Sequence, residues 1–142
     1  MSALLSQLNV LWAPRLLSVL RIVTAFLFLQ HGTAKLLGFP HVAFFDELNL
    51  FSLIGFAGAL ELVGGLLLLF GLLTRPAAFI LSGEMAFAYF IGHAPKGLFP
   101  ILNNGEPAIL FCFIFLYLVA AGGGAWSLDR MLCRGKPGCD WA

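Results

Sequence analysis

Charged residues lie inside long apolar stretches of this chain, where a charge is costly. Arg21, Glu61 and Glu84 each stand among Leu, Phe, Ala and Gly, and the stretch that holds Arg21 also contains His31 and Lys35. An ionisable side chain near the centre of a bilayer costs about 2.5–3.5 kcal/mol on insertion scales, and such residues usually serve a function. Carboxylates and imidazoles in an apolar surrounding can exchange protons with a bound ligand, and this is the chemistry that these residues suggest.

Helical periodicity indicates which way the intramembrane charges point. Glu61 shares one helix face with Gly58 and Gly65. Small residues let helices approach closely, so we expect Glu61 to face other helices. Glu84 has apolar neighbours on its own face, so it should be either protonated or paired across the bundle. We therefore predict that Arg21 pairs with Glu61 or Glu84. A purely structural ion pair is the alternative, since buried pairs also fix helix register.

A second set of polar residues maps to one end of the predicted helices. Polar groups that converge at one mouth of a bundle predict a site for a polar headgroup or a redox carrier. The alternative is that ordinary interfacial residues meet water there, with Lys35 extending its ammonium toward the membrane surface. The set consists of His31, Lys35, His93, Asn103, Asn104 and Glu106.

Four apolar stretches are long enough to position these residues as membrane-spanning helices. Hydrophobic residues make up 61% of the 142-residue chain and charged residues 11%, far from the balance of a soluble domain. A spanning helix takes about 20 largely apolar residues, and short links make neighbouring helices antiparallel. We predict an all-α fold, an integral membrane four-helix bundle that forms one domain over residues 1–142. The predicted spans are residues 16–37, 53–73, 76–93 and 107–125.

Positive charges are unevenly divided between the two ends of this bundle. The richer end is expected to be cytoplasmic, which places both termini and the tail of residues 126–142 inside. Cys133 and Cys139 then lie in a reducing compartment, which disfavours a disulfide between them. The richer end carries Arg15, Arg75, Arg130, Arg134 and Lys136, and the other end carries Lys35 and Lys96.

Composition and motifs argue against several classes of protein. A net charge of +1 leaves no electrostatic footprint for nucleic acid. The sequence contains no Cys-x-x-Cys, Glu-x-x-His or His-x-x-x-His spacing, so it signals neither a metal site nor a redox-active dithiol. It carries no flavin or iron–sulfur motif either. Electrons for any redox reaction would therefore have to come from a partner protein.

Several short motifs occur in a recognisable order along most of the chain. Arg21 is followed by HGTAKLLG at residues 31–38 and by ELVGGLLLLFGLLTRPAA at residues 61–78. His93 closes the third stretch, NNGE at residues 103–106 opens the fourth, and GGGAWSLD at residues 122–129 ends it. In this order the motifs resemble the DoxX family of small four-helix bacterial membrane proteins.

The resemblance implies a location in the bacterial inner membrane, as a multi-pass protein, and a loose function. The DoxX family is similar to the membrane subunit of thiosulfate:quinone oxidoreductase, and other members are associated with oxidative-stress and thiol-redox complexes. Glu84 is not part of the family pattern, so it is an additional intramembrane carboxylate. The positions that carry over by analogy are Arg21, His31, Lys35, Glu61, His93, Asn104 and Glu106.

The leading functional hypothesis is a membrane subunit of a redox system that binds quinone between its helices. In this hypothesis Glu61 and His31 exchange protons, and Arg21 keeps Glu61 ionised. Lys35 or Asn104 would donate a hydrogen bond to a quinone carbonyl. Two alternatives stay open: a non-catalytic membrane anchor or assembly partner for a redox complex, and a small transporter or lipid-binding protein. For a transporter, a homo-oligomer could supply further helices.

Overall fold

The computed structural model describes residues 7–134, and every regular element within that range is helical. The predicted all-α class is confirmed. The main helices are α1 (Ala13–Leu37), α2 (Leu53–Phe70), α3 (Thr74–Ala88), α4 (Pro100–Asn103), α5 (Glu106–Ala121) and α6 (Leu128–Cys133). A π-helical turn, Leu8–Trp12, precedes α1, and α3 continues through a second one, Tyr89–His93, into the 3-10 turn Ala94–Lys96. A further 3-10 turn, Ala43–Phe45, lies between α1 and α2.

Three of the described helical rods are long and apolar enough to cross a membrane. They cover Val10–Leu37, Leu53–Phe70 and Thr74–Lys96. The fourth apolar helix, α5, has 16 residues and is shorter than a typical span. The crossing by a fourth helix and the cytoplasmic side of the termini therefore stay predictions.

Many of the large apolar side chains of these helices face outward. Phe26, Val63 and Phe79 are all more than half exposed, although each lies in the middle of an apolar helix. A soluble protein of this size would not leave so much contiguous apolar surface in water. The interior holds an apolar core around Phe28 and Phe115, and the polar residues Arg21 and Glu61 are buried with it.

Glycines set the spacing and the register between α1 and α2. A Cβ on Gly32 would lie 2.6 Å from the backbone nitrogen of Leu62, and one on Gly65 would lie 2.8 Å from the side chain of Leu29. The two antiparallel helices therefore pack backbone against backbone, as small residues allow. This register places Glu61 beside the last turns of α1.

Replacing Gly32 with alanine is expected to lower the free energy of unfolding in detergent by about 1–3 kcal/mol, because the added methyl group meets backbone that cannot rotate away. Gly83 is the matched control, since a Cβ there meets nothing within 4 Å. Titration with a denaturing detergent, followed by circular dichroism, compares the two variants. Equal stability of Gly32→Ala and Gly83→Ala would show that α1 and α2 are not packed this closely.

The segment after α5 ties the other ends of the helices together. The Asp129 carboxylate accepts hydrogen bonds from the backbone nitrogens of Leu73 and Thr74, at 2.7 and 2.8 Å, and so caps the start of α3. Ser18 Oγ accepts from the backbone nitrogen of Trp126 at 2.9 Å, which joins the same segment to α1. These contacts give the GGGAWSLD motif a structural role.

The cysteines differ from expectation at one position. Cys133 is disulfide-bonded, whereas the sequence places Cys133 and Cys139 in a reducing compartment that disfavours a disulfide between them. Cys139, the other cysteine in that expectation, lies outside the described residues. Cys112 is free and half-buried in α5, where its sulfur lies 3.6 Å from Ser82 Oγ.

Candidate functional site

An ion pair joins α1 to α2 near one end of the bundle. Lys35 Nζ lies 2.6 Å from Glu61 Oε1, and the two side chains are only 12% and 3% exposed. Gly58 makes room for the lysine, because a Cβ there would lie 2.9 Å from the Cβ of Lys35. The ammonium also lies 5.9 Å from the centre of the Phe45 ring, close enough for a cation–π interaction.

One of the two carboxylate oxygens of Glu61 takes no part in this ion pair. Its Oε2 is buried and has no hydrogen-bond partner among the described residues, while Oε1 accepts from Lys35. A buried carboxylate oxygen without a donor is unusual, because its desolvation costs about 1–3 kcal/mol or more. The free oxygen is therefore a candidate for a proton or for a donor group on a ligand.

Glu84 lies at the same level as Glu61 on the neighbouring helix. Gly64 of α2 packs against Leu81 of α3, because a Cβ on Gly64 would touch the side chain of Leu81. Glu61 lies one helical turn before Gly64, and Glu84 lies one helical turn after Leu81. Since the two helices are antiparallel, both glutamates lie on the same side of this contact. Both oxygens of Glu84 are buried and lack a hydrogen-bond partner among the described residues. Glu84 interacts electrostatically with both Glu61 and Lys35.

A groove of about 820 Å³ opens beside this cluster of charges. Its walls come from α2, from α3 and its π-helical extension, and from the 3-10 turn that precedes α2. Most of the lining is apolar, and Lys35, Glu84 and His93 supply the charged or titratable groups. The aromatic and aliphatic part of the lining includes Phe44, Phe45, Leu53, Phe87 and Ile91.

Arg21 does not form the predicted pair with a glutamate. Its guanidinium is completely buried and, among the described residues, donates to backbone carbonyls: Nε to Gly123 at 2.8 Å, Nη1 to Leu68 and to Leu69, and Nη2 to Trp126 at 2.6 Å. Glu61 pairs with Lys35 instead, and Glu84 has no hydrogen-bond partner in the part of the chain that the structure describes. The predicted Arg21 pair is wrong because the guanidinium instead donates to carbonyls at the end of α2 and in the segment that follows α5.

His31 lies at the level of Glu61 but on another side of α1. Its ring is exposed and contacts two aromatic rings, with centroids 6.3 Å from Phe28 and 5.9 Å from Phe111. It does not line the groove. The structure therefore separates His31 from Lys35, although the two residues are one helical turn apart.

The remaining polar residues of the predicted cluster lie farther along, near the end of α3 and the start of α5. His93 reaches the groove and its Nδ1 hydrogen-bonds the carbonyl of Asn103 at 2.9 Å. Asn103 is buried, donates to the Gly97 carbonyl and accepts from the Gly105 nitrogen, each at 2.8 Å, so it shapes the loop.

Two further predicted binding residues lie outside the groove. Asn104 adopts the left-handed conformation that ends α4, and its side chain is exposed. Glu106 is exposed in the first turn of α5. Neither residue lines the groove. Within residues 7–134, no group of three or more His, Cys, Asp or Glu residues is arranged to hold a metal ion.

Comparison with known proteins agrees with this architecture. The family model described as DoxX matches residues 16–94. An uncharacterized protein of Haemophilus influenzae is 50% identical over 128 residues, which cover 84% of this chain and 92% of that protein. "Inner membrane protein YqjF" of Escherichia coli is 31% identical over 129 residues, covering 80% of this chain and 89% of that protein.

A third relative carries a functional name. "Putative oxidoreductase CatD" of Bacillus subtilis is 29% identical over 120 residues, which cover 83% of this chain and 87% of that protein. No solved structure matches the chain significantly. The family match covers more than half of the chain, and the described helices are those of a protein embedded in lipid. This chain is a membrane protein of the DoxX family, located in the inner membrane.

Proposed function

We propose that this protein binds a lipid-soluble carrier of the quinone class in the groove and acts as the membrane subunit of a redox system. The observation that carries the proposal is Glu84, which lies at the wall of an apolar groove and whose two buried oxygens lack a hydrogen-bond partner within residues 7–134. A ligand that brings a hydroxyl donor to this carboxylate would satisfy it. The relative named "Putative oxidoreductase CatD" supports a redox assignment.

The size and lining of the groove suit such a ligand. Pockets for small molecules usually measure about 300–1,000 Å³ and combine apolar walls with a few convergent polar groups. The groove here measures about 820 Å³, and Phe44, Phe45 and Phe87 can pack against a flat ring. Lys35 and Glu84 provide a donor and an acceptor for oxygens at the edge of that ring.

The charged cluster would supply protons, because quinone reduction takes up two electrons and two protons. Lys35 donates a hydrogen bond to a ligand carbonyl, while Glu84 accepts one from a ligand hydroxyl. Glu61 lies behind Lys35 with one free oxygen and can hold the next proton. Glu84 would therefore exchange protons with the ligand, as the sequence suggested for His31, because His31 does not line the groove. A partner protein would deliver the electrons, from thiol or sulfur oxidation or in the response to oxidative stress.

Substitution of Glu84 by glutamine is expected to weaken the binding of short-chain ubiquinol and menaquinol analogues, whose hydroxyl groups donate to the carboxylate, about tenfold or more. A hydrogen bond to a charged group contributes about 1.5–3 kcal/mol, and an amide is a weaker acceptor than a carboxylate. Affinity is measured on the purified protein in lipid nanodiscs. A photoreactive azidoquinone, followed by mass spectrometry of the cross-linked peptide, should label the walls of the groove.

Two variants serve as controls for this measurement. Glu106→Gln removes an exposed carboxylate outside the groove, and His31→Ala removes the exposed imidazole. Both are expected to bind the analogues as the unchanged protein does. Equal affinity in Glu84→Gln, or labelling confined to peptides of α5, would contradict the groove as the quinone site and would favour the membrane-anchor alternative.

A further inference from the structure

A second cavity, of about 660 Å³, lies at the opposite end of the molecule from the groove. It is formed by the start of the α1 rod, by the segment between α5 and α6, and by α6 itself. Three arginines line it, Arg15 from α1 and Arg130 and Arg134 from the region of α6. Each of these side chains is exposed, so all three can meet a ligand that enters the cavity.

Within residues 7–134, no carboxylate neutralises the charges of these arginines. The cavity lining contains no acidic residue, and no carboxylate of residues 7–134 forms an ion pair with any of the three. Asp129 is close in sequence, but both of its oxygens accept from the start of α3. Three guanidiniums around one cavity repel each other, and a bound anion removes that repulsion.

The length of α1 places this cavity at a membrane surface. Arg15 and Lys35 belong to one continuous helix, and 1.5 Å per residue separates them by about 30 Å. This distance equals the thickness of the hydrocarbon core, so the two residues lie near opposite interfaces. Trp12 and Trp126 are both exposed at the arginine end, where tryptophans anchor proteins at the headgroup level.

We propose that this cavity binds the phosphate of an anionic phospholipid headgroup. Guanidinium groups pair well with phosphate because they can donate two parallel hydrogen bonds. The rim favours a lipid over a soluble phosphate: Val10, Leu11 and Met131 line the cavity with exposed apolar side chains that can contact the glycerol and acyl chains. Basic pockets between helices at a membrane surface are typical sites for such lipids.

The test measures lipid binding to the purified full-length protein in neutral detergent. The probes are tail-labelled cardiolipin, phosphatidylglycerol and phosphatidylcholine, read by fluorescence anisotropy. The two anionic lipids are expected to bind at least about tenfold more tightly than the zwitterionic one. The double variant Arg130→Gln with Arg134→Gln should lose about tenfold in affinity for the anionic lipids, because each arginine near the surface contributes measurably.

Controls separate the possible reasons for a change in affinity. Lys96→Gln removes an exposed cation at the other end and should leave anionic-lipid binding unchanged. Arg130→Lys with Arg134→Lys keeps the charge, should retain most of the affinity, and guards against a folding defect in the glutamine variant. Equal binding of phosphatidylcholine overturns the proposal, as does unchanged affinity in the glutamine variant. Full displacement by millimolar inorganic phosphate would also overturn it, by making free phosphate the ligand.

Discussion

Replacing Arg21 with methionine is expected to lower the free energy of unfolding by at least about 3 kcal/mol, because several buried carbonyls lose their donor at once. The guanidinium donates to four backbone carbonyls from two parts of the chain. An unsatisfied buried polar group costs about 1–3 kcal/mol, and in lipid no water can enter to replace the donor. Reversible unfolding in mixed micelles, followed by circular dichroism, measures the loss.

Two other variants locate the origin of this effect. Arg21→Lys keeps the charge but cannot reach four carbonyls with a planar fork, so its stability should lie between those of the methionine variant and the unchanged protein. Lys96→Met removes an exposed cation and should change the free energy of unfolding by less than about 0.5 kcal/mol. Similar losses in Arg21→Met and Lys96→Met would mean that the carbonyl contacts do not hold the bundle together.

The sequence shows that Arg21 is buried but not what it binds. A polar stripe on an apolar helix predicts an inward-facing arginine, and the structure confirms that Arg21 is buried. Its partners are backbone atoms, and backbone atoms are the same at every position of a sequence. Only the meeting of the end of α2 with the segment after α5 makes their carbonyls available at one point. The prediction that Arg21 pairs with a glutamate therefore named the wrong partners.

The level of a residue along a helix is easier to predict than its direction around the bundle. His31 and Lys35 both map to the C-terminal part of the first stretch, and the structure places them in the last two turns of α1. Their different surroundings depend on which helix packs on which side of α1. Phe111 of α5 contacts His31, whereas Glu61 of α2 pairs with Lys35. The order of helices around the axis is not encoded in any local pattern.

Glu84 becomes a candidate functional residue through the register between α2 and α3. No motif singled it out, and its helix face is apolar. The contact of Gly64 with Leu81 brings it level with Glu61, and the groove then makes it a wall residue. A register search that paired the small residues of α2 with large residues of α3 could have found this arrangement from the sequence. The unpartnered state of its oxygens could not have been found in that way.

Replacing Lys35 with methionine is expected to cost about 3 kcal/mol or more in free energy of unfolding, because it leaves the Glu61 carboxylate buried without a partner. Glu61→Gln should cost less, about 1 kcal/mol, since the amide oxygen still accepts from the lysine. The double variant Lys35→Met with Glu61→Leu should recover much of the loss. Apolar side chains of similar volume often replace a buried ion pair without penalty. Unfolding in mixed micelles gives all three values.

An exposed ion pair in the same chain is the natural control for this cycle. His41 and Asp46 lie 2.9 Å apart, but their side chains are 71% and 56% exposed, so Asp46→Asn should change stability by no more than about 0.5 kcal/mol. The coupling between Lys35 and Glu61 should exceed that value several-fold, since both groups are shielded from water. If the losses of Lys35→Met and Glu61→Leu, each measured singly, simply add in the double variant, the two residues do not act as a pair. The charge cluster beside the groove would then need another explanation.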